Sequence, residues 1–171
     1  MHNLSRFEIY PLVRVNGDWS IPDEVLLGIW NQIVAEGKLE DLFYDGTIKT
    51  PFEWMAFIKR PGTYPILIAD KNKKTVVHIA WLKDVWDIGA WVHHCSLGKY
   101  QRGAWEASRD YWQKYFKHLK ILLGMTPKVN ETAVRFLQKI CKFTIVGEIP
   151  QMCNMAYKGE RVATILSYFE L

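Results

Sequence analysis

Apolar residues along the chain follow two alternating periods. Residues 7–15 read as a strand, closed by the turn residues Asn16-Gly17-Asp18. Behind a capping signal at Ser20 and Asp23, Leu26, Ile29, Trp30, Ile33 and Val34 recur at helical spacing, and Gly37 ends the run. Thr50-Pro51-Phe52-Glu53 is a cleaner capping box with proline at the first helical position, so a shorter helix is expected from there to Arg60-Pro61-Gly62. Residues 64–69 and 75–82 are β-branched apolar runs joined by Asp70-Lys71-Asn72-Lys73-Lys74. With a third run at 88–97 they predict an antiparallel meander.

From Ala104 the period returns to that of a helix. Ala104, Ala107, Ser108, Tyr111, Trp112, Tyr115 and Phe116 share one face of what is predicted to be the longest helix. Residues 120–125 form a short apolar strand that follows a helix and so pairs parallel with its neighbour. Asn130 then caps a helix with an apolar face of Ala133, Phe136, Leu137, Ile140 and Cys141, and 143–149 and 162–169 close the chain as strands. This order predicts an α/β (α+β) fold with a mixed sheet and helices on both faces. Its strand-to-helix crossover leaves backbone amides at a helix N-terminus, where anions bind.

Composition narrows the classes. A chain of 171 residues, 49% hydrophobic and 23% charged, with no repeat or low-complexity tract, describes a single domain spanning 1–171. No apolar run of membrane length and no leader stands out, and three cysteines without paired spacing suggest neither a disulfide framework nor a cysteine-rich metal site. A cytoplasmic, reducing location is expected. The net charge of +4 is spread along the chain, which argues against nucleic acid. The eight tryptophans are less ordinary, because five of them lie between residues 81 and 112; a large core, a stacking surface and a partner interface all remain open. Trp86, at a hairpin tip, is the one expected to be exposed.

The stretch Asn130-Glu131-Thr132-Ala133-Val134-Arg135-Phe136-Leu137-Gln138-Lys139-Ile140-Cys141-Lys142-Phe143 resembles the Asn-x-x-Ala helix of the GNAT N-acetyltransferase superfamily, and the element order agrees over nearly the whole chain. The helix is one residue longer than that pattern, with Lys142 where glycine is usual. The resemblance implies a mostly antiparallel sheet of about seven strands flanked by four helices. It also implies transfer of an acetyl group from acetyl-CoA to a small-molecule or protein amine. Backbone at Cys95, Ser96 and Leu97 would hold the pantetheine arm. The loop of Gln101, Arg102, Gly103, Ala104, Trp105 and Ala107 would hold the pyrophosphate, with Asn130 as a further cofactor contact. Trp105 takes the place of a glycine in that loop, so its side chain must turn away from the phosphates. Glu106 adds a negative charge beside it.

His93 and His94 occupy the strand position where the base is expected, and strand alternation points at most one of them at the cleft. Either can equally be a core or surface histidine. Leu137 falls about where the family carries a tyrosine acid. No metal site is suggested, and Cys95 reads as a small buried hydrophobe. The first two helices and the last hairpin would set acceptor specificity. The 130–140 stretch is also similar to small virion and head-assembly proteins of short-tailed phages, some of which look like GNAT folds without evident activity. That similarity implies an alternative: an inactive phage protein acting through protein–protein contacts, with the tryptophan-rich sheet as the contact surface.

Overall fold

The computed structural model describes residues 6–100 and 103–171. Its elements in chain order are β1 (Phe7–Pro11), β2 (Arg14–Val15), β3 (Asp18–Trp19), α1 (Asp23–Ala35), the single turn α2 (Leu39–Leu42) and α3 (Pro51–Ile58). After these come β4 (Thr63–Asp70), β5 (Thr75–Lys83), β6 (Gly89–Ser96), α4 (Ala104–Tyr115), β7 (Ile121–Pro127), α5 (Glu131–Phe136), β8 (Thr144–Met155) and β9 (Glu160–Glu170). Seven strands form one sheet in the order β1-β4-β5-β6-β7-β9-β8, and every pair is antiparallel except β6 with β7. The expected mixed sheet is therefore present. The expected four helices are joined by a fifth, the single turn α2.

Local chemistry explains most boundaries. Thr50 accepts a hydrogen bond from the Glu53 amide while the Glu53 carboxylate accepts from the Thr50 amide, so the box read in the sequence starts α3 at Pro51. The signal at Ser20 works differently. Helix α1 starts at Asp23 without a side-chain cap, because the Ser20 hydroxyl donates to the Pro11 carbonyl and accepts from the Val13 amide. Those bonds close a loop that the sequence reading merged into one strand: β1 ends at Pro11, and 14–19 fold back as a ribbon around Asn16 and Gly17, both with positive φ.

Two apolar cores lie on the two faces of the sheet. On one face α1 and α3 bury Leu26, Ile29, Trp30, Ile33, Trp54 and Ile58 against Leu67, Ile79, Trp81 and Cys95. On the other, α4 and the turn that continues α5 bury Trp105, Trp112, Leu137 and Cys141 against Ala80, Leu82, Val92 and Leu122. Five tryptophans (Trp30, Trp54, Trp81, Trp105 and Trp112) are core residues, and Trp86 is the one that is exposed, lying across Gly89 where no Cβ would fit. The tryptophan-rich segment is thus packing material rather than a surface. Val34, Tyr115 and Ile140, expected on buried faces, sit at the margins of theirs and are exposed.

The extra residue of the α5 segment is taken up by a π turn. After Phe136 the helix widens over Leu137–Cys141 and ends at Lys142 with φ +62°, a left-handed conformation that suits glycine. Widening preserves both ends: Asn130 caps through its side chain to the Ala133 amide, while Cys141 and Phe143 still reach the core. Beyond it, β8 is the outer strand of the sheet, interrupted by a bulge around Pro150 and Gln151. Because Lys142 is exposed and strained, Lys142→Gly should stabilise the protein by about 1 kcal/mol in urea titration. A variant no more stable than the parent would show that the strain is absent.

Candidate functional site

A parallel pair cannot be closed by a tight turn, so β6 and β7 are joined through α4, and their pairing is brief. It covers Gly89 with Ile121, Ala90 with Leu122 and Trp91 with Leu123, and then stops although both strands continue. From Val92 onward β6 has no strand beside it on that side. The gap opens toward the N-terminal end of α5, from which Asn130 and Ala133 line it.

Two adjoining cavities fill the gap. One, of about 100 Å³, is lined by Asp41, Tyr44, His93, His94, Thr126 and Leu137, among others. The other, of about 410 Å³, runs along the end of β6 past Lys38, Ser96, Gly98, Asn130, Thr132 and Phe136. His94, Asp41, Asn130 and Ala133 line both. The alternation argument allowed only one histidine at the cleft, but both reach it, because the parted strands let the cleft pass through the sheet. His93 lies on the α1/α3 face, stacked on Trp81 at 5.4 Å, and its Nε2 has no hydrogen-bond partner among the described residues. His94 lies on the α4/α5 face against His78, Trp105 and Phe136.

Burial decides the protonation of these rings. It pushes His93 down to about 3, with lesser contributions from Lys83 and His94, and His94 down to about 4. His78, fully buried, with Nδ1 3.2 Å from the Ser96 hydroxyl, is held well below the usual histidine range by burial and then by His94. All three are neutral at pH 7. Burial also pushes the Cys95 thiol up to about 11, which removes it as a nucleophile. Tyr44 is raised by burial and then by the nearby Cys153 thiol, which lies 2.6 Å from the Thr164 hydroxyl.

The remaining residues singled out in the sequence fall in several places. Cys95 and Leu97 bury their side chains on the α1/α3 face. Ser96 faces His78. Gly103, with φ +95°, is the N-cap of α4, while Gln101 and Arg102 lie outside the described residues. Ala104, Trp105 and Ala107 point into the core under α4. The Trp105 ring packs on Trp112, Phe143 and Phe169 and so leaves the cleft clear. Asn130 caps α5 and lines both cavities. Sequence reading did not find Lys38, Asp41 and Tyr44. They come from α2 and its flanks, far from β6 along the chain, and no motif marks them.

The buried histidines have a consequence for stability. The unfolded chain takes up their protons near pH 6.5, whereas the folded chain excludes them until pH 3 to 4, so stability is full above about pH 6.5 and falls below it. Between pH 7.5 and 5, His93 and His94 should each cost about 2 kcal/mol, seen as a falling urea midpoint. Changing His93→Phe and His94→Gln together should make that slope shallower, with His78 keeping the remainder. An unchanged slope would assign the acid sensitivity elsewhere. The lowered carboxylates Glu36, Glu53 and Asp70 lose their contribution only at lower pH.

Neither a family model nor a curated protein sequence matches the chain. Solved structures do. An acetyl transferase from Salmonella typhimurium that modifies the N-terminal serine of a ribosomal subunit protein superposes with a TM-score of 0.74 at 9% identity, covering 98% of this chain and 96% of that one. Spermidine N-acetyltransferase from Vibrio cholerae, in complex with CoA and spermine, gives 0.72 at 12% identity, covering 97% and 96%. A ribosomal-protein alanine acetyltransferase from Vibrio fischeri gives 0.67 at 14% identity, covering 96% and 93%. The chain therefore has the fold of the GNAT N-acetyltransferases over nearly its full length.

Proposed function

We propose that the protein is an acetyl-CoA-dependent N-acetyltransferase acting on a primary amine. The observation that carries this reading is the through-sheet cleft where β6 and β7 part, unobstructed by Trp105. Its edge is the backbone of β6 from Val92 and its continuation to Gly98, with no strand alongside, suited to the pantetheine arm around Cys95, Ser96 and Leu97. The start of α4, from its N-cap Gly103, is suited to the pyrophosphate through amides left free in the first turn. Two of the similar folds act on spermidine and on a protein N-terminus, both of them amines.

The thioester supplies an activated acyl carbon. A free amine nitrogen forms the new N–C bond, the C–S bond breaks, and the nitrogen gives up a proton. His93 does not take that proton from an ammonium ion. Its pKa of about 3 lies about 7 units below that of an alkylammonium, a gap of about 10 kcal/mol. Its neutral Nε2 is suited instead to accept a hydrogen bond from the free amine and aim the lone pair, with water carrying the proton. Asp41 in the same cavity attracts the cationic form as it arrives. Leu137 lines the cavity where the family pattern has a tyrosine, and it has no proton to give the departing sulfur.

The test is thiol release from acetyl-CoA with a panel of primary amines, alongside calorimetric CoA binding. Activity should rise with pH through each amine's own pKa. His93→Phe keeps the stack on Trp81 and should lower kcat/KM about tenfold, the worth of one hydrogen bond, without moving that profile. No CoA binding at millimolar concentration would overturn the reading.

A further inference from the structure

The open edge of β6 is already engaged by the chain itself. Successive residues of a strand send their backbone groups to opposite sides. The Leu97 amide donates to the Val77 carbonyl, so the backbone groups of its neighbours Ser96 and Gly98 face away from β5, into the cleft. Two of these groups carry side-chain partners from the turn after α1. Lys38 Nζ donates to the Ser96 carbonyl at 2.5 Å, and the Gly98 amide donates to both Glu36 carboxylate oxygens at 2.8 and 2.9 Å. Lys38 and Glu36 are themselves paired, and Gln32 Nε2 donates to Glu36 at 2.7 Å, so the acidic and basic ends form one unit. Glu36 is held below the ordinary carboxylate range by its bonds to Lys38, Gln32 and the Gly98 amide, which outweigh the effect of burial.

An N–H donor reaching a strand carbonyl, next to an oxygen accepting the following strand amide, is the pattern that an amide of an extended ligand makes along a strand edge. We propose that Glu36 and Lys38 are a built-in surrogate for the acyl donor, a latch that closes the end of the β6 edge and must swing out before the pantetheine arm can pair there. The inference rests on acyl-donor binding in this cleft. Lys38 lines the larger cavity beside Ser96 and Gly98, so in its closed position it stands where a ligand pairing with those groups would lie. Both side chains are partly exposed, at 30% and 23%, so the latch is weak enough to be displaced by binding. A ligand that binds only the open state loses affinity in proportion to the closed fraction.

The experiment measures CoA dissociation constants by calorimetry for the full chain and for the variants Lys38→Met and Glu36→Ala. Lys38→Met keeps the aliphatic stem and removes the donor, so it covers the case in which Glu36→Ala disturbs the turn. If the pair is a latch, both variants bind CoA more tightly, by about fivefold for a latch closed about four-fifths of the time, while their thermal midpoints stay level or fall. The difference from the parent should also shrink between 0.05 and 0.5 M salt, as about a threefold shorter screening length weakens the ion pair. Equal or weaker binding in Lys38→Met overturns the latch and makes the pair a support that shapes the edge for its ligand. Absence of CoA binding in parent and variants alike overturns the acetyltransferase reading, a different result from the first.

Discussion

One backbone constraint organises this molecule: a single parallel strand pair placed within an otherwise antiparallel sheet. Each antiparallel neighbour is stitched along most of its length, whereas β6 and β7 meet over three residue pairs and diverge. Strand twist then widens the gap with every further residue. The backbone groups lost to pairing in this way would be costly if buried without partners. Side chains from the turn after α1, waters or an extended ligand are the partners available, and that is why polar groups collect there. The two cores depend on the same constraint, since the α4 crossover joining the parallel strands lays Trp105 and Trp112 on one face and leaves the other to α1 and α3.

The residues at the gap are placed by that geometry rather than by their own neighbours in sequence. His93 and His94 are adjacent on β6 yet belong to opposite faces, one stacked on Trp81 and the other stacked on His78 and tilted against Trp105. Such rings are packed as aromatic hydrocarbon and kept neutral by their surroundings. A neutral imidazole in a dry wall is useful for accepting or orienting and poor at storing a proton. In the proposed reaction the labour divides accordingly: side chains position, and solvent exchanges protons.

Much of this was legible in the chain. Strong local signals survived intact, above all the Thr50-Glu53 box, the polar turn between β4 and β5, and the Asn130 cap, because each is settled by bonds within four residues. Ser20 misled for the complementary reason. Its hydroxyl found backbone partners in the preceding loop, a tertiary closure that no capping pattern encodes. The phosphate-loop reading identified Trp105 as out of place and required its side chain to turn away, and the core has room for it to do so. Lys38, Asp41 and Tyr44 were invisible because they reach the cleft from α2 and its flanks, a segment too short to carry a helical period, and nothing in their spacing relates them to β6. The passage of the cleft through the sheet was equally hidden, since alternation along one strand says nothing of where its neighbour departs.

The π turn after Phe136 has a wider meaning for how this helix can change. An inserted residue in a regular helix rotates everything beyond it by about 100° and would move either the cleft end or the core end out of phase. By absorbing the insertion in one widened turn, the segment keeps Asn130 and Ala133 on the cavities and Cys141 and Phe143 in the core. The two ends thereby keep their own contacts across the insertion, and they meet at the widened turn, where Leu137 both lines the smaller cavity and is buried in the core.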